Sequence, residues 1–205
     1  MGKGGVSREL LSIAAIALTF IAYFPYIRSI RRSTTKPHVF SWVIWGASTF
    51  IVFFAQLAGD GGAGAWPTCI SGLISLYVAW LAHCARADES ITRADRVFFT
   101  LAAISLPLWY FTDDPLTAVV LLTLADVLGC GPTFRKAWYK PYEEHATFFG
   151  LIVLRNCLAI AGLEHYSFTT VLFPVASAIC CVAISLMVVY RRWVILNMGQ
   201  RGNDD

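Results

Sequence analysis

The chain has 205 residues, of which 57% are hydrophobic and 14% charged, with a mean hydropathy of +0.62. Soluble domains carry about 25% charged residues, so this composition excludes an ordinary soluble fold and predicts one all-α integral membrane domain. The net charge of +3 is too small to imply a nucleic-acid partner, and the basic residues cluster at expected helix ends.

A helix needs about 20 apolar residues to cross a hydrocarbon core. Seven runs are predicted to do so: 9–30, 38–58, 65–84, 96–112, 115–138, 144–162 and 167–190. The first is followed by Arg31-Arg32 without a small-residue cleavage site, so a retained helix is expected rather than a signal peptide. Myristoylation is not expected, because Val6 stands where that motif wants Ser or Thr.

Charge sets the predicted orientation. Arg28, Arg31, Arg32 and Lys36 follow the first run, Arg86, Arg93 and Arg96 the third, and Arg135, Lys136 and Lys140 the fifth. Arg191, Arg192 and Arg201 follow the last, and only Lys3, Arg8 and Arg155 lie outside these four segments. Seven crossings place all four on one face. The positive-inside rule then puts the N-terminus outside and the C-terminus in the cytoplasm of a bacterial-type inner membrane. The six cysteines fall in or beside apolar runs without a CxxC pair or a nearby histidine at ligand spacing, and are expected to be small packing residues.

An offset of 107 aligns the two halves: Pro25 meets Pro132, Arg28 meets Arg135, His38 meets His145 and Pro67 meets Pro174. Runs one to three superpose on runs five to seven. Three helices end opposite where they began, so a second copy in the same orientation needs one more crossing, which run four supplies. The expected organisation is 3+1+3: residues 1–90, a linker helix at 91–113, residues 114–193, and a polar tail at 194–205. Parallel repeats of this kind occur in transporters, with a site between the halves.

Phe24-Pro25-Tyr26 with Arg28, and Gly131-Pro132-Thr133 with Arg135, each precede a short basic turn and a new helix. In this the chain resembles the SWEET and PQ-loop superfamily over nearly its whole length. That resemblance implies a small-solute transporter whose prolines act as hinges. The glutamine of the Pro-Gln pair is replaced by Tyr26 and Thr133. Asp126, Gly129 and Pro132 also resemble the acidic start of the motif in proton-coupled amino-acid exporters of that superfamily.

Asp126 and Arg155 are the ionisable residues predicted deepest in the apolar runs, about 15 Å from the ends of their helices. A charge there costs about 2.5–3.5 kcal/mol on insertion-based scales, so such residues are usually paired and usually functional. Lying at one depth on consecutive helices, the two are expected to pair, with Asn156 alongside. The offset sets Thr19 against Asp126, and Ser48 and Thr49 against Arg155 and Asn156. Trp45 lies one turn from Thr49 and is a candidate for stacking on a ligand ring. The functional reading makes these seven residues a substrate and proton site, with Asp126 taking up a proton as substrate leaves. The structural reading makes Asp126–Arg155 a buried pair that fixes helix against helix.

Pro25 and Pro132 remove a backbone hydrogen bond inside or at the end of their helices, and are candidate hinges as well as plain helix ends. Pro67 and Pro174 sit near helix starts, where proline is favoured. No lysine falls in the seventh run, which argues against a retinal Schiff base. The glycine-rich stretch 59–64 lacks the Lys-Ser/Thr of a phosphate loop, and no metal site, cofactor motif or catalytic nucleophile stands out. The expectation is a non-enzymatic transporter or facilitator of a small polar metabolite, amino-acid-like or sugar-like, whose other partner is the lipid bilayer. A homo-oligomer is compatible with it. The alternative is a seven-helix receptor or scaffold without transport.

Overall fold

The computed structural model describes residues 3–34, 37, 39–85 and 93–201. His38, Lys36 and Arg86 lie outside the described residues, as does the end of the tail beyond Arg201. The side chains of Pro132, Arg135 and Lys136 are likewise outside the description. Among the described residues the structure is all-helical. It has seven α-helices: α1 (Lys3–Arg31), α2 (Val39–Ala58), α3 (Trp66–Cys84), α4 (Arg93–Thr112), α5 (Pro115–Tyr139), α6 (Ala146–Ala161) and α7 (Phe168–Arg201). Short 3-10 turns at Gly62–Ala65 and Pro141–Glu143 precede α3 and α6.

The helix ends follow from local chemistry. Ser33 and Asp60 take positive φ (57° and 58°) after α1 and α2, closing each helix with a left-handed residue. The Gly61 amide then reaches back to the Gln56 carbonyl at 2.8 Å. Gly62, at φ 59°, continues the reversal that a side chain would strain. Asp114 accepts a hydrogen bond from the Leu116 amide (3.0 Å) and one from the Thr117 hydroxyl (3.3 Å), capping the start of α5 at Pro115. Ser167 and Thr170 cap α7 reciprocally, each amide bonding to the other's hydroxyl.

Among the described residues three helices carry stretches long and apolar enough to cross a membrane: Ser7–Arg31, Gly62–Cys84 and Phe168–Asn197. The apolar stretches of α2, α4, α5 and α6 are shorter. The α5 stretch, Pro115–Gly131, contains Asp126, and the α6 stretch, which is the whole 16-residue helix Ala146–Ala161, contains Arg155. Helix α7 runs well past the expected stop at Tyr190. Arg191 donates to the Trp138 carbonyl (2.9 Å) and Arg192 to the carbonyls of Pro141 (3.2 Å) and Glu144 (2.7 Å), tying the extension to the α5–α6 connection.

Among the described residues α1 and α2 do not pack closely on each other, nor do α5 and α6. Both α1 and α2 pack on α3, and both α5 and α6 pack on α7. Across the molecule α1 lies against α6 and α2 against α5, while α4 packs on α5. Small residues allow the closest approach. A Cβ on Gly46 of α2 would stand 2.7 Å from Leu76 Cγ on α3, and one on Gly72 would stand 3.1 Å from the Phe50 amide. The buried face of α3 (Thr68, Cys69, Gly72, Ser75, Val78, Ala79, Ala82) recurs at three- and four-residue steps, as a single helical stripe must.

Candidate functional site

Ser12 of α1 stands beside Gly162, just past α6, where an added Cβ would lie 2.6 Å from the serine hydroxyl. Seven residues further along each antiparallel helix, about 10 Å deeper, Thr19 meets Arg155. Both are buried, at 0% and 4% exposure.

Arg155 uses all three of its guanidinium nitrogens. Nε donates to Thr19 Oγ1 of α1 at 3.3 Å, Nη1 to Asn156 Oδ1 beside it on α6, and Nη2 to the Pro67 carbonyl in the first turn of α3. Thr19 passes its own proton to the Ala15 carbonyl at 2.8 Å, so its lone pairs face the cation. Asn156 is equally buried, and its Nδ2 has no hydrogen-bond partner among the described residues. The amide cannot usefully turn over, because that would set two donors face to face with Nη1. The hydroxyls of Ser48, Thr68 and Thr123 and the Gln56 carbonyl oxygen are buried without partners as well. The interior thus carries more polar capacity than it satisfies.

The expected Asp126–Arg155 pair does not form among the described residues. Asp126 is half-buried on α5, with the thiols of Cys130, Cys180 and Cys181 in its electrostatic field. The reason is packing order. Helices α5 and α6 follow one another in the chain but both rest on α7, so Arg155 turns instead towards α1 and α3. Thr19, Arg155 and Asn156 are brought together; Asp126 is not part of their hydrogen-bond network. Ser48 and Thr49 are buried on α2, and among the described residues neither bonds to the arginine.

Trp45 belongs to an aromatic cluster rather than to the arginine network. It meets Trp42 edge-on at 5.5 Å, and its Nε1 faces Gly129 of α5 so closely that a Cβ there would lie 2.8 Å away. Trp42 in turn packs on Tyr26 (5.2 Å) and Tyr23 (6.1 Å), and both tyrosines pack on Phe148 of α6 (5.5 and 5.3 Å). The Tyr23 hydroxyl reaches Ser75 (3.1 Å) and Ser71 (3.4 Å) on α3. This cluster joins α1, α2, α3 and α6 one to two turns along α1 from Thr19. Sequence reasoning missed Tyr23 and Phe148 and met Tyr26 only as the replacement for a motif glutamine, although Thr19, Tyr23 and Tyr26 sit at the four- and three-residue steps of one helical face.

Pro25 lies inside α1, exposed, and the helix continues through it to Arg31. The carbonyl of Ile21 lacks its usual amide donor there, since proline has none. Pro132 lies within the unbroken span of α5. His145 immediately precedes α6 without a side-chain cap; His38, which the 107 offset aligns with it, is outside the described residues. Among the described residues no group of three His, Cys, Asp or Glu side chains could hold a metal ion, and the six cysteines are free thiols. No family model matches the chain, and no curated protein or solved structure matches it either.

Proposed function

We propose that the chain is an integral membrane transporter or facilitator of a small polar metabolite, built as two parallel three-helix halves joined by α4. The observation that carries this reading is the buried, incompletely satisfied polar network around Arg155. It lies where α1 and α3 of one half meet α6 of the other, with an aromatic cluster packed beside it. Retaining an arginine and an asparagine among apolar helices is costly, and a solute that passes through the interface gives them a use.

Two further features support it. Large apolar side chains line the outside of the molecule, among them Leu10, Phe20, Phe24, Phe111, Ile179 and Leu186, each more than half exposed. In water such a belt would aggregate, whereas in lipid it is ordinary surface. At the level of whole helices the contacts have the pattern that a repeat of this kind would give. The packing of α1 and α2 on α3 recurs as α5 and α6 on α7, and the α1–α6 contact exchanges with α2–α5. The SWEET and PQ-loop resemblance implies the same layout. On this reading Pro25 and Pro132 give the halves their flexibility, Trp45 and its aromatic neighbours close the path on one side, and the C-terminus faces the cytoplasm.

A second reading is favoured by one observation. The Arg155 hydrogen bonds cross-link α1, α3 and α6, as a scaffold or receptor without transport would also require. Uptake of labelled amino acids, sugars and small organic acids into proteoliposomes separates the two. Saturable accumulation supports the transporter. Ligand binding without flux in any of these classes favours the receptor or scaffold.

A further inference from the structure

Among the described residues Arg155 is a buried cation without a counter-ion. A guanidinium carries five N–H donors. One is used by Thr19, one by Asn156 and one by the Pro67 carbonyl, which leaves one N–H on each terminal nitrogen. All three partners are neutral, so they solvate the charge without cancelling it. Beside them the Asn156 amide turns its two Nδ2 protons away from the guanidinium, buried to 1% exposure and unused. What remains unsatisfied at this point is therefore made of donors with a net positive charge. A neutral sugar hydroxyl would use some of the donors and leave the charge. A planar anion with two acceptor oxygens answers both, which is why arginine recurs wherever carboxylates are recognised.

We infer that Arg155 and Asn156 form the subsite for a carboxylate group of the transported solute, the two free guanidinium N–H groups and the Asn156 amide donating to its oxygens. This deepens the transporter reading and rests on it for the word transported; the binding site itself does not. The solute class is then small organic acids or amino acids rather than neutral sugars. Asp126 has no part in this subsite, since it lies outside the arginine network.

The test uses full-length protein in detergent and in liposomes, with acetate and propionate as probes. Their primary amides serve as neutral matches, with chloride and inorganic phosphate as other anions. The carboxylates are expected to raise the melting midpoint in a saturable way, since a ligand bound only to the folded state stabilises it by mass action. The amides and chloride should leave it unmoved. Asn156→Asp is the informative variant, because Oδ1 can stay on Nη1 while the second oxygen supplies the missing counter-charge. It should raise the ligand-free midpoint and abolish the carboxylate shift. Arg155→Gln should abolish the shift too, and Asn156→Asp covers the case in which that variant fails to fold.

Carboxylate shifts that survive Asn156→Asp overturn the proposal. So do equal shifts from chloride, which would make this an unselective anion hole, and so does the absence of any shift. Stabilisation by carboxylates without their accumulation in proteoliposomes upholds the subsite and sinks the transport reading. Accumulation of neutral solutes that Asn156→Asp leaves intact does the reverse.

Discussion

At the scale of single residues, the two charges within the helices part company. Arg155 is held on three sides by acceptors from three helices, while Asp126 is half-buried and accepts no hydrogen bond among the described residues. A carboxylate in that position is free to exchange a proton where the arginine is not free to move. If Asp126 couples transport to protons, Asp126→Asn should leave downhill flux measurable while removing its response to an imposed pH gradient across proteoliposomes. Retention of the full response would exclude the carboxylate as the coupling group. That these two residues stand out was legible in the sequence, since an ionisable group in an apolar run carries a cost and a reason. Their separation was not. Pairing was argued from equal depth on consecutive helices, and depth says nothing about which helix lies between. The unused amide of Asn156 was also beyond reach, because donor satisfaction depends on where Pro67 of a distant helix points its carbonyl.

At the scale of helices, starts and stops came through well, because they rest on local chemistry. Asp114-Pro115 begins α5 and Trp66-Pro67 begins α3 as the residues suggest, and the expected runs fall within a few residues of the helices except at the ends of α1 and α7. Helix α7 overran its expected end because Arg191 and Arg192 find carbonyls on another connection, a tertiary effect. Two predictions belong at this level. Gly46 lets α2 and α3 touch, with Leu76 Cγ and its amide nitrogen 2.7 and 2.9 Å from where a Cβ would be. Backbone atoms cannot step aside as a side-chain end can, so Gly46→Ala should destabilise the protein by about 1–3 kcal/mol, the usual range for overpacking. A lowered denaturation midpoint in detergent checks it, and an unchanged midpoint would mean the helices part easily there. Pro25 offers the opposite trade. Pro25→Ala restores a donor to the Ile21 carbonyl inside a continuous helix, where proline costs about 3 kcal/mol. A hinge predicts a higher melting midpoint together with slower uptake. A higher midpoint with unchanged uptake would leave Pro25 a tolerated irregularity.

At the scale of the molecule, the question is whether the two halves move against each other. The 107 offset is a pattern of four aligned residues, and the packing order could not be read from it: α3 lies between α1 and α2, and α7 between α5 and α6. That order is what leaves α1 facing α6 and α2 facing α5, so on the transporter reading the α1–α6 seam is where relative motion would be absorbed. Ser12 and Gly162 mark the end of that seam beyond Arg155, and a Cβ on Gly162 would already lie 2.6 Å from the serine oxygen. Two cysteines there are close enough for a disulfide, which needs Cβ atoms about 3.5–4.5 Å apart. The double variant Ser12→Cys with Gly162→Cys should therefore cross-link on mild oxidation. If transport requires the seam to open at this end, oxidation should abolish solute uptake and a reductant should restore it. Each single variant should keep its uptake through the same treatment, which controls for oxidation of the native thiols. Fusing the seam leaves the Arg155 subsite in place, so carboxylate binding should persist in the oxidised protein while flux stops. Uptake that continues through a quantitatively formed cross-link would mean that the halves do not rock about this interface, and the path would have to open along α2 and α5 instead.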